Sequence, residues 1–552
     1  MKRSVLQVLG ILLFIQPFLQ AQTSIERAKE LLREGKNAEA VATLRGFVDN
    51  VPRNAEAWRL LGDAYKRVGK LDSAEIAARK SISIDDENVE GYTTLSDILM
   101  AKNDFSNAIM TLRRVLKIKP GNSALLTQLG SILLARDSID QAIIAFSQAK
   151  EASPNNGRAY EGLGDAYMKQ GVPAIAIFQY EKGIEVDSTR PPLYYKLAKA
   201  YMKERRYNEA ARAYISVIKL DSTNVKAPLE LGELYFKANQ YANAAQVLRI
   251  YTQQAPSDSD AATMYMESLY LSRQFDDALA VSEKLLKKNP RSVGALRIAA
   301  NSSSEVQQHD KAITQFGRLR TLDTLNADDY KHLAKSYVET KRDSLAAMTL
   351  QDALQRDSTE YELYNELGKV FMRLHKYDKA ASMFEKQFVH DTLAISAYVN
   401  YAISEMALEQ WELARIAFRK ALGIRPQYIP GYLRLGLCLS QLDSLDEAKR
   451  VYQSVLAMTD TAQDKYKSEI AESHQQIGFI FLRQKSYQDA VESLDRSLRL
   501  KPDDLYSHLW KAQALHLLNK KEEAIKEYKI VLKLDPKNEA AKKGLDILLP
   551  GN

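Results

Sequence analysis

Small and large apolar residues recur along this chain with a fixed period, separated by polar positions. Fifteen alanines mark the period: thirteen follow one another at 34-residue intervals, the next comes after 42 residues and the last after 34 more. They are Ala40, Ala74, Ala108, Ala142, Ala176, Ala210, Ala244, Ala278, Ala312, Ala346, Ala380, Ala414, Ala448, Ala490 and Ala524. A period of this length is typical of stacked helix-turn-helix units, in which each unit contacts only its neighbours.

A first apolar stripe precedes each marked alanine. Twelve residues before the alanine stands a small residue, Gly, Ala or Ser, in every repeat except the one that carries Met266. Large apolar residues stand one before and three after this small position, as Leu61 and Tyr65 do around Gly62. The spacing predicts one apolar face of an amphipathic helix.

A second helix is predicted around and after each marked alanine. Four residues beyond the alanine, most repeats carry Leu, Phe or Tyr, as at Phe146 and Tyr180. Twelve residues beyond it, eight repeats have proline and the other seven have Asp, Ser or Thr. Proline and short polar residues both end helices, so each repeat stops at the same place.

The order of Trp58, Leu61, Gly62, Tyr65 and Ala74 resembles the tetratricopeptide repeat family, and the likeness extends over residues 21–538. The resemblance implies an all-α fold, a right-handed α–α superhelix of about fifteen helix-turn-helix repeats closed by a C-terminal capping helix. It also implies a protein-binding surface along the first helices of successive repeats.

The period divides the chain into segments. We expect repeats 1–8 over 22–292, a divergent repeat 9 over 293–326, repeats 10–15 over 327–538 with an insertion near 463–470, and a capping helix and tail over 539–552. The insertion should lengthen the first helix of repeat 14. Repeats 8 and 9, residues 259–326, depart most from the pattern, and we expect a flexible joint there.

The N-terminus has the layout of a secretory signal peptide. Lys2 and Arg3 precede an apolar run from Val5 to Ile15, and Ala21 offers a small residue at the cleavage point. We therefore expect residues 1–21 to be removed on export to a bacterial periplasm or another extracytoplasmic space. The alternative is an uncleaved anchor. After removal, no segment is long and apolar enough to span a bilayer.

Composition and motifs give no catalytic centre. The chain has 77 basic and 70 acidic residues and no strong basic stripe, which disfavours nucleic acid as a partner. We expect its one cysteine, Cys438, to be a small packed thiol rather than a reactive one. His474, His508 and His516 could approach one another, but no carboxylate or thiol completes a ligand set, so neither a metal nor another cofactor is predicted. We expect a protein that is not an enzyme.

The candidate binding residues follow from the repeat register of the first helices. Positions next to the small residue become basic around repeats 9–11 and apolar in repeats 12 and 13. We name the first group the basic stretch, which comprises Arg297, Asn301, Lys331, Lys335 and Lys369. We name the second group the apolar strip, which comprises Val399, Ile403, Met406, Leu433 and Leu437.

An acidic, partly apolar peptide would suit the basic stretch and the apolar strip together. Alternatively, packing between repeats, or the lengthened helix of repeat 14, covers the apolar strip. The expected function is a scaffold that binds peptides or partner proteins, with a membrane-associated complex as one setting. A second reading is a periplasmic component of a polysaccharide-export or secretion assembly. An accessory to an enzyme, or an enzyme that its motifs do not reveal, is a third reading.

Overall fold

The computed structural model describes residues 24–459 and 464–549, and every regular element in these ranges is a helix. The helices come in pairs, one pair for each predicted repeat. The first helices of repeats 1–15 are α1 (24–33), α3 (Ala55–Arg67), α5 (Val89–Ala101), α7 (Ser123–Ala135), α9 (Gly157–Gln170), α11 (Pro191–Lys203), α13 (Lys226–Lys237), α15 (Ser259–Leu271), α17 (Val293–Glu305), α19 (Ala327–Glu339), α21 (Tyr361–Arg373), α23 (Ile395–Ala407), α25 (Ile429–Gln441), α27 (Lys467–Arg483) and α29 (Leu505–Leu517).

The second helices complete the pairs. They are α2 (Asn37–Asn50), α4 (Leu71–Ile84), α6 (Phe105–Ile118), α8 (Ile139–Ala152), α10 (Pro173–Val186), α12 (Tyr207–Leu220), α14 (Tyr241–Gln254), α16 (Phe275–Lys288), α18 (His309–Arg320), α20 (Asp343–Arg356), α22 (Tyr377–His390), α24 (Trp411–Ile424), α26 (Leu445–Thr459), α28 (Tyr487–Leu500) and α30 (Lys521–Leu534). A single helix, α31 (Glu539–Leu548), follows. The predicted all-α array of helix-turn-helix repeats is confirmed.

The chain divides into two compact units, Met1–Ser268 and Leu269–Asn552, and the boundary falls inside α15. The predicted signal segment, 1–21, and the start of the insertion at 463 lie outside the described residues. Within the described part, α27 has 17 residues where most first helices have 13. The flexible joint over 259–326 stays a prediction.

The small position of the repeat receives a large side chain from the second helix. A methyl group added at Gly164 would lie 2.3 Å from the ring of Tyr180, and one added at Gly368 would lie 2.6 Å from the ring of Phe384. All the marked alanines are fully buried between the two helices. A small residue is therefore needed at this position, because the two helices pack in close contact.

Side chains of the second helix also join one repeat to the next. The ring of Phe146, on α8, lies against Gly130 on the first helix of its own repeat and against Gly162 on the first helix of the following repeat. The first helices α7 and α9 also contact each other directly. Each repeat thus completes its core only with its neighbour.

A left-handed residue turns the chain from the first helix into the second. Five residues before each marked alanine, φ lies between 56° and 84°. Glycine occupies this position in three repeats, at Gly35, Gly69 and Gly171. In the others the position holds Asn103, Asp137, Arg205, Asn239, Arg273, Gln307, Lys341, His375, Glu409, Asp443, Lys485 and Asn519. The amide of the next residue donates a hydrogen bond back into the first helix, as Asp104 N does to Leu99 O at 2.8 Å.

Candidate binding surfaces on the first helices

The lysines of the basic stretch meet in one pocket. Lys331 and Lys335 project from α19 and Lys369 from α21, and all three line a cavity of about 400 Å³. Val338 and Val370 are among the apolar residues that line it. Successive first helices contact each other here, so residues that are 34 apart in sequence become neighbours in space. The structure thus brings these three lysines together, and their role in binding stays a prediction.

Each of the three lysines has a glutamate partner that the register analysis did not include. Lys335 Nζ lies 2.8 Å from Glu305, Lys369 Nζ lies 2.8 Å from Glu366, and Lys331 Nζ lies 3.3 Å from Glu362. The three lysine side chains remain 44–45% exposed. Exposed ion pairs of this kind contribute about 0–1 kcal/mol each. The lysines can therefore exchange these partners for carboxylates of a ligand.

One wall of the pocket carries a linked group of charges around Glu305. His332 Nε2 lies 3.2 Å from Glu305 Oε1, beside the ammonium group of Lys335. Burial alone would raise the pKa of Glu305, but Lys335 and His332 lower it below its ordinary value. Glu305 is therefore ionised at neutral pH and holds Lys335 over the pocket.

Arg297 and Asn301 have a different role from the one expected. Arg297 Nε donates to Asp329 Oδ2 at 2.8 Å, and Asn301 Nδ2 donates to Asp329 Oδ1 at 3.2 Å. Asp329 is fully buried, and with Asn326 it forms the capping box at the start of α19. Asn301 is only 3% exposed, so the expectation that it faces a ligand is wrong. Both residues hold α17 against α19.

The apolar strip is mostly covered by its own neighbours. Leu433 is buried at 8% exposure, so its expected exposure is wrong. Val399, Ile403 and Met406 are partly buried and pack against the core formed by repeats 12 and 13. Leu437 is partly exposed. Packing within and between repeats 12 and 13, the alternative considered above, therefore covers much of the strip.

A larger groove lies on the first helices of repeats 3–5 and was not singled out from the sequence. Residues of α5, α7 and α9 enclose about 1060 Å³. Its middle is polar: Asn156 Nδ2 donates to Ser123 Oγ at 2.6 Å and to Thr127 Oγ1 at 2.9 Å. These residues occupy ordinary repeat positions, so no sequence motif marked the groove.

The acids of this groove are neutralised from the next repeat. Lys196 Nζ lies 2.7 Å from Glu161 and 2.6 Å from Asp165, and Arg190 also pairs with Glu161. Burial alone would raise the pKa of Glu161, but the two cations lower it. Because Lys196 and Arg190 lie beside these acids, this part of the groove is polar rather than acidic.

The histidines that hold equivalent positions in repeats 14 and 15 have opposite environments. His508 is buried, with Nδ1 at 2.5 Å from Glu527 and Nε2 at 2.8 Å from the carbonyl of Pro502. Burial alone would lower the pKa of His508, but these two acceptors raise it. For His474, burial and two nearby arginines lower the pKa to about 4. Over 24–459 and 464–549, no three His, Cys, Asp or Glu side chains are grouped as metal ligands would be.

Among the helices that the structure describes, none combines the length and the apolar character needed to cross a bilayer.

The comparisons with known proteins agree with the repeat architecture. Profiles of the tetratricopeptide repeat match residues 25–89, 99–163, 195–259, 365–429 and 478–539. A profile described as anaphase-promoting complex, cyclosome, subunit 3 matches residues 237–319. An uncharacterised protein of Cyanophora paradoxa, ycf37, is 37% identical over 82 residues, which are 15% of this chain and 48% of that relative. The chain thus spans about half the length of that relative.

Solved structures of low sequence identity also align with the chain. The C-terminal part of a TPR repeat-containing protein from Cytophaga hutchinsonii is 21% identical, with a TM-score of 0.38, and covers 51% of this chain and 99% of its own. The hetero-tetramer Cut9–Hcn1 of the anaphase-promoting complex is 16% identical, with a TM-score of 0.33, and covers 90% of this chain and 96% of its own. With the family profiles distributed along the described helix pairs, the chain belongs to the tetratricopeptide repeat family.

Proposed function

We propose that this chain is a non-enzymatic scaffold that binds protein partners along its first helices, outside the cytoplasm. Proteins built from these repeats are generally non-catalytic scaffolds, which supports the first part. The observation that carries the proposal is the pocket shared by Lys331, Lys335 and Lys369, in which three exposed ammonium groups stand beside apolar side chains.

The pocket favours an acidic peptide with apolar side chains. Four basic groups line it, the three lysines and Arg373, against three glutamates. A ligand carboxylate can replace a glutamate as the partner of a lysine at little cost, because these ion pairs are exposed and weak. Val338 and Val370 offer apolar contact for a neighbouring ligand side chain.

Binding of a labelled peptide library, acidic and apolar against a charge-inverted set, tests this proposal by fluorescence anisotropy. The double substitution Lys335→Glu with Lys369→Glu should weaken binding of the acidic set by at least about tenfold. Lys199→Glu is the matched control, because Lys199 is similarly exposed at the same repeat position and pairs with Glu230. Equal affinity of all variants for the acidic set would refute the pocket as the binding site.

Export is proposed on the basis of Lys2, Arg3, the apolar run that follows and Ala21. Expression of the full chain in a bacterium, followed by intact mass measurement of the periplasmic fraction, tests it. The expected product begins at Gln22. Recovery of the complete chain in the cytosol alone would overturn the proposal.

A further inference from the structure

The second helices of repeats 2–5 carry a row of exposed apolar side chains. Two residues after the marked alanine stand Ile76, Met110, Ile144 and Phe178, which are 69%, 59%, 58% and 54% exposed. Repeat 6 has Arg212 at this position, which ends the row. Single exposed apolar residues are ordinary, but four in the same register of consecutive repeats mark an interface. We name these four residues the outer stripe.

The four residues of the outer stripe lie on α4, α6, α8 and α10, and none of them lines either pocket described above. Polar side chains on two of these helices, α6 and α8, meet. Arg113 Nη2, on α6, donates to Gln141 Oε1, on α8, at 3.3 Å. The candidate peptide pocket lies instead on α19 and α21.

The charges beside the outer stripe change sign along it. Residues three, four and seven positions after each stripe residue lie on the same helix face. In repeats 2 and 3 they are Arg79, Lys80, Ser83, Arg113, Arg114 and Lys117. In repeats 4 and 5 they are Ser147, Gln148, Glu151, Glu181, Lys182 and Glu185. Four positions before the stripe residue, on the same face, lie Asp72 in repeat 2 and Asp140 in repeat 4. The flank in repeats 2 and 3 thus has five cations and one anion, and the flank in repeats 4 and 5 has four anions and one cation.

We propose that the outer stripe is a self-association surface, on which two copies of this chain pair with the order of repeats reversed. A two-fold axis parallel to the second helices, between repeats 3 and 4, lays the apolar row of one copy on that of the other. Repeat 3 of each copy then faces repeat 4 of the other, and repeat 2 faces repeat 5. The basic half of the flank of each copy then meets the acidic half of the flank of the other copy. The two-fold symmetry makes this contact occur twice in the dimer.

The change from basic to acidic residues along the flank favours a second copy of this chain as the binding partner. A surface built for an acidic protein or an anionic membrane needs cations along its whole length. Here the apolar row continues into repeats 4 and 5 while the charge reverses. A pair related by two-fold symmetry satisfies both halves at once, because each half meets its complement.

Analytical ultracentrifugation of the full chain over a range of concentrations tests the proposal. The wild type should show a monomer–dimer equilibrium, and Ile144→Glu should weaken dimerisation by at least about tenfold. Met348→Glu is the matched control, since Met348 holds the same register position at 64% exposure in a repeat without apolar neighbours in register. It should leave the dimer unchanged, and circular dichroism should show that both variants are folded.

A charge exchange tests the reversed order of repeats. Arg114 and Glu151 are exposed and form no ion pair within 24–459 and 464–549. Arg114→Glu and Glu151→Lys should each weaken the dimer, and an equimolar mixture of the two variants should form mixed dimers of restored affinity. A monomeric wild type, an Ile144→Glu dimer of unchanged affinity, or a mixture without recovery would overturn the proposal.

Discussion

Replacement of Gly162 by alanine tests whether ring insertion between consecutive first helices holds the array together. The new methyl group would lie 2.3 Å from Cε1 and 2.4 Å from Cζ of Phe146. The ring is only 1% exposed and also lies against Gly130, so it can yield to the new methyl group only by repacking. Forced repacking of this kind costs about 1–3 kcal/mol.

Alanine has an opposing advantage in the helix. It favours the helical backbone over glycine by about 1 kcal/mol, which offsets part of the steric cost. We therefore expect Gly162→Ala to lower the free energy of unfolding by up to about 2 kcal/mol. Gly46→Ala is the matched control, because Gly46 lies within α2 and has no atom within 4 Å of the position of a new methyl group. It should stabilise the chain by about 0.5–1 kcal/mol.

Urea denaturation followed by circular dichroism measures both variants, and hydrogen exchange of α8 and α9 locates the effect, because repeat arrays can unfold in parts. Phe146→Leu, which removes the ring, should reduce the cost of Gly162→Ala in the double variant. The reasoning is refuted if Gly162→Ala stabilises the chain as Gly46→Ala does, or if the cost is the same with and without the ring.

Three further predictions concern other parts of the chain. Because the pKa of His508 is raised in the folded chain, its stabilising effect is complete below its unfolded value of about 6.5 and is lost as pH rises through the folded value. The midpoint of thermal unfolding should fall more with rising pH in the wild type than in His508→Gln, and equal slopes would contradict this. Burial raises the pKa of Cys438 to about 12, so a thiol reagent should label it only after denaturation, and rapid labelling of the folded chain would be the opposite result. Amides of 293–326 should exchange faster than those of 123–186, whereas uniform protection would exclude a joint.

The fold was predictable because its signal repeats. A marked alanine, a small residue and a large apolar residue recur in nearly every unit, and each copy reinforces the others. The contact between Gly164 and Tyr180 is the physical cause of that pattern. Backbone turns were less visible, since positions such as Lys341 and Glu409 adopt positive φ without the glycine that usually marks it.

The candidate site was predictable only in part. The repeat register predicts which helix face a residue occupies, but not which residues it contacts there. It placed Lys331, Lys335 and Lys369 together correctly. It could not foresee that Asp329 would bind Arg297 and Asn301, because that contact depends on the capping geometry of the following helix. It also could not foresee that Leu433 would be buried, since burial depends on how closely neighbouring repeats pack.

The left-handed turn within each repeat carries a small, evenly distributed conformational tension. A non-glycine residue in this region costs about 1 kcal/mol, and twelve of the repeats have one. The hydrogen bond that closes each turn joins main-chain atoms, so glycine would keep it. The side chains of Asp137, Asn239, His375 and Asp443 also have partners of their own, which glycine would remove. The other eight positions are therefore a reserve from which the protein can be made more heat-resistant, one repeat at a time, without any change to its pockets or its outer stripe.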